Sequence, residues 1–248
     1  MMPISNLTNI IYLETIDSTN NYANKIIKEK HIKEGTVIWA KEQTHGKGHG
    51  KNYWESDAGE NLTFSIIYHP DFLNINDHFY ISKFISLGLT DFLENEIDSV
   101  SIKWPNDIYV ENKKIAGILI ENIILKDKIT TSVIGIGLNV NQKSFYSDAP
   151  NPVSLTQITQ KEYNLEKVLE NLLVCLNKQY AKLKFGDKKD IFVQYLEKLY
   201  RFNSYSQYKA GNTYFNGKII GISAIGELII EKSDGEIKTL NFKEIEYI

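Results

Sequence analysis

The sequence predicts an α+β fold: a mixed, largely antiparallel sheet carrying helices, followed by a small C-terminal β-barrel. Three observations predict it. Between residues 100 and 140, β-branched apolar runs follow one another across short polar turns at 111–113 and 126–128, the pattern of paired strands. Segments 77–96, 165–184 and 188–199 carry apolar residues at helical spacing. After Phe202 the texture changes to short strands punctuated by Gly211-Asn212, Asn216-Gly217, Ala224-Ile225-Gly226 and Asp234-Gly235, as in a small barrel. The expected division is a main domain of residues 1–203 and a barrel of residues 204–248.

Taken in order, residues 10–16 read as a strand, and Asp17 or Ser18 then caps a helix running to about Lys30, a short oxygen-bearing side chain accepting an orphan N–H of the first turn. Residues 36–42 form a second strand, and a glycine-rich loop covers 43–52. A third strand, 61–68, stops before Pro70. In the helix at 77–96, Ile81, Phe84, Ile85, Gly88, Leu89, Phe92 and Leu93 recur at alternating steps of three and one, which places them on one face. Strands follow at 100–103, 107–111, 114–125 and 129–140.

Composition narrows the function classes. A chain of 248 residues accommodates one large domain with a small appendage. Its net charge is −3, its lysines are dispersed and its one arginine is Arg201, so the clustered basic face of a nucleic-acid binder is missing. The lone Cys175 excludes an intrachain disulfide and a cysteine-rich zinc site, and its apolar neighbours predict a buried core thiol. Residues 1–9 lack a basic segment followed by an apolar run, and no apolar stretch approaches the ~20 residues that span a bilayer, so a cytoplasmic location is expected.

Four islands carry chemistry. Asp17-Ser18-Thr19-Asn20 sets small hydroxyl and amide groups at a helix start, either as a plain cap or as the contacts of a neutral polar ligand. The loop from Gln43 to Trp54 mixes glycines with Lys47, His49 and Lys51, a composition suited to anion approach through backbone N–H groups. It is one residue short of a Walker A loop, and Asn52 stands where that loop needs Ser or Thr. No metal site is expected at His45 and His49, because a spacing of four aligns side chains only on a helix. Lys103-Trp104-Pro105-Asn106-Asp107 has turn chemistry, but Lys114 then enters an apolar strand, where a lysine needs an anionic partner. Gly135 and Gly137 inside a strand indicate close approach, either by a ligand or by a packed neighbour.

In order and spacing these islands, with Lys114-Ile115-Ala116-Gly117-Ile118-Leu119 and Gly135-Ile136-Gly137-Leu138-Asn139-Val140-Asn141, resemble the biotin–protein ligase family across nearly the whole chain. The resemblance implies the biotin–lipoyl ligase fold, related to class II aminoacyl-tRNA synthetases, with an SH3-like C-terminal barrel. It implies ATP with Mg²⁺ as cosubstrate, biotin as substrate, and a biotin carboxyl carrier domain as partner. Because the first motif begins at Asp17, the form lacking an N-terminal DNA-binding domain is expected, without nucleic-acid or membrane binding; a homodimer is left open.

The resemblance also implies roles. Ser18, Thr19, Asn20, Gln43, Gly46, Lys47, Gly48, His49, Lys114, Gly117 and Gly135 match biotin contacts. Lys47, His49, Trp54, Lys103, Asn106, Lys114 and Asn139 match ATP or adenylate contacts, with Trp54 stacked on adenine. Lys114 and Asp107 match the catalytic pair. The family's loop reads Gly-Arg-Gly-Arg-x-Gly-Arg-x-Trp; here Lys47 and His49 replace the first two arginines and Lys51-Asn52 stand where Gly-Arg would be. Lysine does not reproduce the arginine fork, and a histidine of reference pKa ~6.5 is mostly neutral at pH 7, so weaker retention of the adenylate is expected. Two alternatives remain at this point: a lipoate or octanoate ligase or transferase of the same fold, and a non-catalytic biotin-binding module.

Overall fold

The computed structural model describes residues 9–50, 52–147 and 151–248. A seven-stranded sheet runs in the order β1-β2-β3-β7-β6-β5-β4. Its strands are β1 (Ile10–Ile16), β2 (Thr36–Gln43), β3 (Leu62–Tyr68), β4 (Val100–Lys103), β5 (Asp107–Val110), β6 (Lys113–Leu125) and β7 (Lys128–Leu138). Only β1 and β2 pair in parallel, joined by the crossover helix α1 (Thr19–Glu29); the other neighbours are antiparallel. The expected mixed, largely antiparallel sheet is therefore observed.

Both faces of the central strands are covered, which is why β3 is buried along its whole length instead of alternating. On one face Ala23 and Ile26 of α1 pack on Ile38, Ile67 and Val133. On the other lie Phe64, Ile66, Ile134 and Ile136, under α2 (Phe79–Leu93), α4 (Leu165–Phe185) and α5 (Lys188–Glu197). A short capped helix, α3 (Leu155–Thr159), was not foreseen; Ser154 and Gln157 close its capping box. Conversely, Ser18 occupies the N-cap position of α1, but its side chain makes no cap hydrogen bond. Cys175 is half-buried against the core, less enclosed than expected, and burial raises its thiol pKa.

Helix α2 departs from a one-faced amphipathic helix. Enclosed between the sheet and α4/α5, it buries Ser82, Lys83, Ser86 and Thr90 along with its apolar stripe. At Gly88 a Cβ would lie 2.7 Å from the Leu176 side chain, so glycine permits the close crossing of α2 and α4. Lys83 is 1% exposed, and its ammonium lies over the rings of Phe79, Tyr80 and Phe192, at 4.1 Å from the Tyr80 centroid. Burial pushes its pKa down to about 8, against an opposing pull from Asp77. A lysine whose folded pKa is depressed destabilises the fold wherever the unfolded chain holds the proton more tightly. The penalty is full below about pH 8 and fades as the pH rises toward the unfolded value of ~10.4. Part of it is offset by the rings. Lys83→Met is accordingly expected to raise stability by about 1–3 kcal/mol at pH 7. In urea unfolding the gain should shrink at pH 10; an equal gain at both pH values would contradict the assignment.

The C-terminal segment forms a second sheet, antiparallel in the order β11-β10-β9-β8-β12. Its strands are β8 (Tyr205–Ala210), β9 (Thr213–Ile222), β10 (Leu228–Lys232), β11 (Ile237–Leu240) and β12 (Glu246–Tyr247). The buried core runs without a break from the main sheet into Tyr208, Ile219, Leu228 and Ile230 of this unit. Gly226, at φ +98°, seats its backbone against the Phe79 ring, and the Trp104 indole donates to the Gly226 carbonyl at 2.8 Å. Among the described residues no helix is long and apolar enough to cross a membrane.

Candidate active site

A cleft of about 720 Å³ opens where the start of α1, the end of β2, the β4–β5 turn and the middles of β6 and β7 meet the C-terminal unit. It is lined by Ser18, Thr19, Asn20, Gln43, Lys47, Gly48, His49, Trp54, Lys103, Asn106, Asp107, Lys114, Gly117, Gly135 and Asn139. Residues far apart in sequence thus converge as expected, with one exception. Gly46 faces a neighbouring depression. Its carbonyl accepts the Trp54 N–H at 2.9 Å, and a Cβ there would lie 2.7 Å from the Trp54 carbonyl oxygen. Glycine at 46 thus serves to lay the loop against Trp54. Lys51 lies outside the described residues.

One end of the cleft is neutral. The Thr19 N–H and hydroxyl both donate to Gln43 Oε1, at 2.8 and 3.0 Å. Ser65 Oγ lies 2.7 Å from Thr19 Oγ1 and 2.6 Å from Asn20 Oδ1. Ser18, Thr19 and Asn20 are all buried, so this polar cluster has been taken out of water and depends on its internal bonds. A Cβ at Gly135 would overlap Asn20 Oδ1, which explains the glycine inside β7.

The other end is charged. Lys114 Nζ pairs with Asp107 at 2.7 Å, both partly exposed to the cleft. The β5–β6 hairpin brings them together, with a register shift between Ile108 and Tyr109. Nearby, Lys103 Nζ donates to Tyr109 Oη at 3.1 Å and lies 4.9 Å from the Tyr247 ring centroid. Burial lowers its pKa, Asp107 opposes that, and Lys114 adds to it. The turn between β4 and β5 is anchored from behind: Ser82 Oγ and Tyr195 Oη donate to the Pro105 carbonyl at 2.8 and 3.3 Å. Between the two ends, Gly117 and Gly137 face each other across β6 and β7. The Trp54 indole lies on them: a Cβ at Gly137 would overlap the ring and one at Gly117 would lie 2.8 Å from it. Lys114 Nζ sits 5.6 Å from its centroid.

A hydrogen-bonding pocket and a cation–carboxylate pair at opposite ends of one glycine-floored cleft suit activation of a carboxylate that carries a polar head. Residues 12–139 match the model of the biotin/lipoate A/B protein ligase family. The chain belongs to this family. It is 29% identical to the bifunctional ligase/repressor BirA of Bacillus spizizenii over 96% of this chain and 73% of that protein. With BirA of Escherichia coli it shares 29% identity over 92% of this chain and 71% of that one. Its fold superposes on the biotin protein ligase of Aquifex aeolicus in complex with biotin and ATP with a TM-score of 0.79, at 28% identity, covering 97% of this chain and 99% of that one.

Several residues that build this ligase-family cleft carried no sequence signal. Ser65 and Glu121, which hold the neutral cluster from behind the cleft wall, sit inside strands without a motif. Phe242, Ile245 and Tyr247 come from the C-terminal unit. Phe242 holds the His49 ring edge-on, with centroids 4.4 Å apart. Burial there, reinforced by Lys243, lowers the His49 pKa, so the imidazole is neutral at pH 7 and Lys47 is the cation of the pair. Two expected amide contacts are partly committed elsewhere. Asn106 Nδ2 donates to the Ile118 carbonyl and Asn139 Nδ2 to that of Val153, leaving Asn139 Oδ1 buried without a partner.

Proposed function

We propose that the chain is an ATP-dependent biotin–protein ligase, which adenylates biotin with release of pyrophosphate and transfers it to a lysine of a biotin carboxyl carrier domain. The observation that carries this reading is the single cleft joining the Thr19–Gln43–Ser65 cluster to the Lys114–Asp107 pair. Neutral donors and acceptors at one end match a urea, which needs hydrogen bonds and no counter-charge. At the other end, the biotin carboxylate attacks the α-phosphorus of ATP and the bond to pyrophosphate breaks. Both reactants are anions, and Lys114 lowers the barrier by standing between them. Among the described residues no cluster of His, Cys, Asp and Glu is arranged to hold a metal, so Mg²⁺ is proposed to arrive on the triphosphate and neutralise it.

Transfer follows when the acceptor amine attacks the acyl carbon, AMP leaves and the amine loses a proton. The acceptor can approach along β6, which beyond Ile118, whose N–H and carbonyl are taken by Asn106, pairs among the described residues only with β7 and exposes Ile123, Ile124 and Leu125. We further propose that residues 204–248 are a separate barrel domain that completes the nucleotide end of the cleft through Phe242 and Tyr247.

Biotin-dependent ATP–pyrophosphate exchange tests the function. Exchange that requires biotin and ignores lipoate supports it; exchange driven by lipoate moves the chain to the lipoate branch of the family, and none with either acid favours a binding module. The loop supplies a second test. His49→Arg places a permanent cation beside the cleft, although it must displace the Phe242 contact. It is expected to slow release of biotinyl-5'-AMP by roughly 5- to 30-fold, the gain of one charge-assisted hydrogen bond less the lost ring contact. An unchanged release rate would count against a role for residue 49 in retention.

A further inference from the structure

Glu121 belongs to none of the sequence motifs and does not line the cleft, yet it orients the residues that do. We infer that Glu121 is a positioning residue for the biotin head, selecting a ligand that carries N–H donors; this rests on the biotin-ligase reading above. One of its oxygens, Oε2, accepts from Asn20 Nδ2 at 2.9 Å and from Asn24 Nδ2 at 2.8 Å. A carboxylate offers only acceptors, so the Asn20 amide must turn its nitrogen toward Glu121 and its oxygen toward Ser65. The Ser65 proton is then drawn to Asn20 Oδ1, 2.6 Å away. The Thr19 proton goes to Gln43 Oε1, which also takes the Thr19 N–H. The Gln43 amide is thereby fixed with its nitrogen left over as a donor.

Proton counting gives the selectivity. The contacts Ser65–Asn20, Ser65–Thr19 and Thr19–Gln43 must share the hydroxyl protons of Ser65 and Thr19 alone, so the cluster is short of a proton and rich in acceptors. A ureido group provides N–H donors for those acceptors and a carbonyl for the Gln43 nitrogen. A dithiolane or a straight acyl chain provides neither. Without the carboxylate, Asn20 is free to flip, its nitrogen then satisfies Ser65, and the demand for a ligand N–H disappears.

Biotin affinity of the full chain should be measured by calorimetry for wild type, Glu121→Ala and Glu121→Gln, alongside the KM for ATP in the exchange reaction and the melting temperature. Glu121→Ala is expected to weaken biotin about 10- to 100-fold, the loss of a hydrogen bond to a buried partner, with the KM for ATP within about twofold. Glu121→Gln keeps an oxygen able to accept from both asparagines and should restore affinity to within roughly threefold of wild type. Biotin binding unchanged in Glu121→Ala would overturn the inference alone. So would equal losses for biotin and ATP with a lowered melting temperature in both variants, since that pattern belongs to a structural residue. No biotin binding by wild type would instead overturn the functional reading, and this inference with it.

Discussion

Replacing Lys114 with alanine is expected to lower biotin-dependent ATP–pyrophosphate exchange by about 10³-fold. The size follows from what the ammonium opposes. At ~4 Å and an effective dielectric near 20, one unit charge is worth roughly 4 kcal/mol, and each 1.36 kcal/mol is about tenfold in rate. Lys114 is held where that energy can be used: Asp107 fixes its ammonium at 2.7 Å and the Trp54 ring flanks it. The fold should tolerate the change, because the side chain borders the cleft and is 21% exposed. Lys114→Arg separates charge from shape. It keeps the cation but replaces a compact ammonium by a broad fork, so it should recover only part of the rate. Exchange within tenfold of wild type in the alanine variant, with the melting temperature unchanged, would remove Lys114 from the centre of the adenylation step.

The features legible in the sequence are those set by local pattern. Strand and helix order followed from periodicity, and the ends of β1, β4 and the start of α4 fall where the pattern placed them. Glycines at 135 and 137 were readable as points of close approach, because a missing Cβ lets another group lie on a strand, whereas Gly117 entered only through the family resemblance. What approaches them was a tertiary matter. Trp54, expected to stack on adenine, lies on the Gly117–Gly137 floor, with its indole N–H buried and unpartnered. Glu121 and Ser65 were invisible because their importance comes from partners 101 and 46 residues away. Lys83 was hidden by its helix: the apolar stripe gave the inner face, but a second layer of helices buried the side that periodicity assigns to water. Phe242 and Tyr247 looked like ordinary barrel residues until the C-terminal unit was set against the cleft.

The carboxylate of the Lys114 pair should separate the two half-reactions. Asp107→Asn is expected to slow transfer from preformed biotinyl-5'-AMP to an acceptor lysine by roughly 10²- to 10⁴-fold, the range of a positioned general base. Exchange should fall much less. The attacking group differs between the steps. The biotin carboxylate carries no proton and needs only the cation, which asparagine leaves in place. The acceptor amine, with a free pKa near ~10.4, must surrender a proton as it attacks, and asparagine cannot accept it. Geometry favours Asp107 for this task. It begins β5, opposite Gly117 and paired with Lys114, and lines the cleft. Asparagine has nearly the same shape, so the turn held by Ser82 and Tyr195 should persist. The measurement is single-turnover transfer as a function of pH. If Asp107 serves only to hold Lys114, both half-reactions should drop together and the pH profile should keep its wild-type form. If it takes the amine proton, the transfer deficit should narrow as the pH rises, because more of the acceptor then arrives already deprotonated.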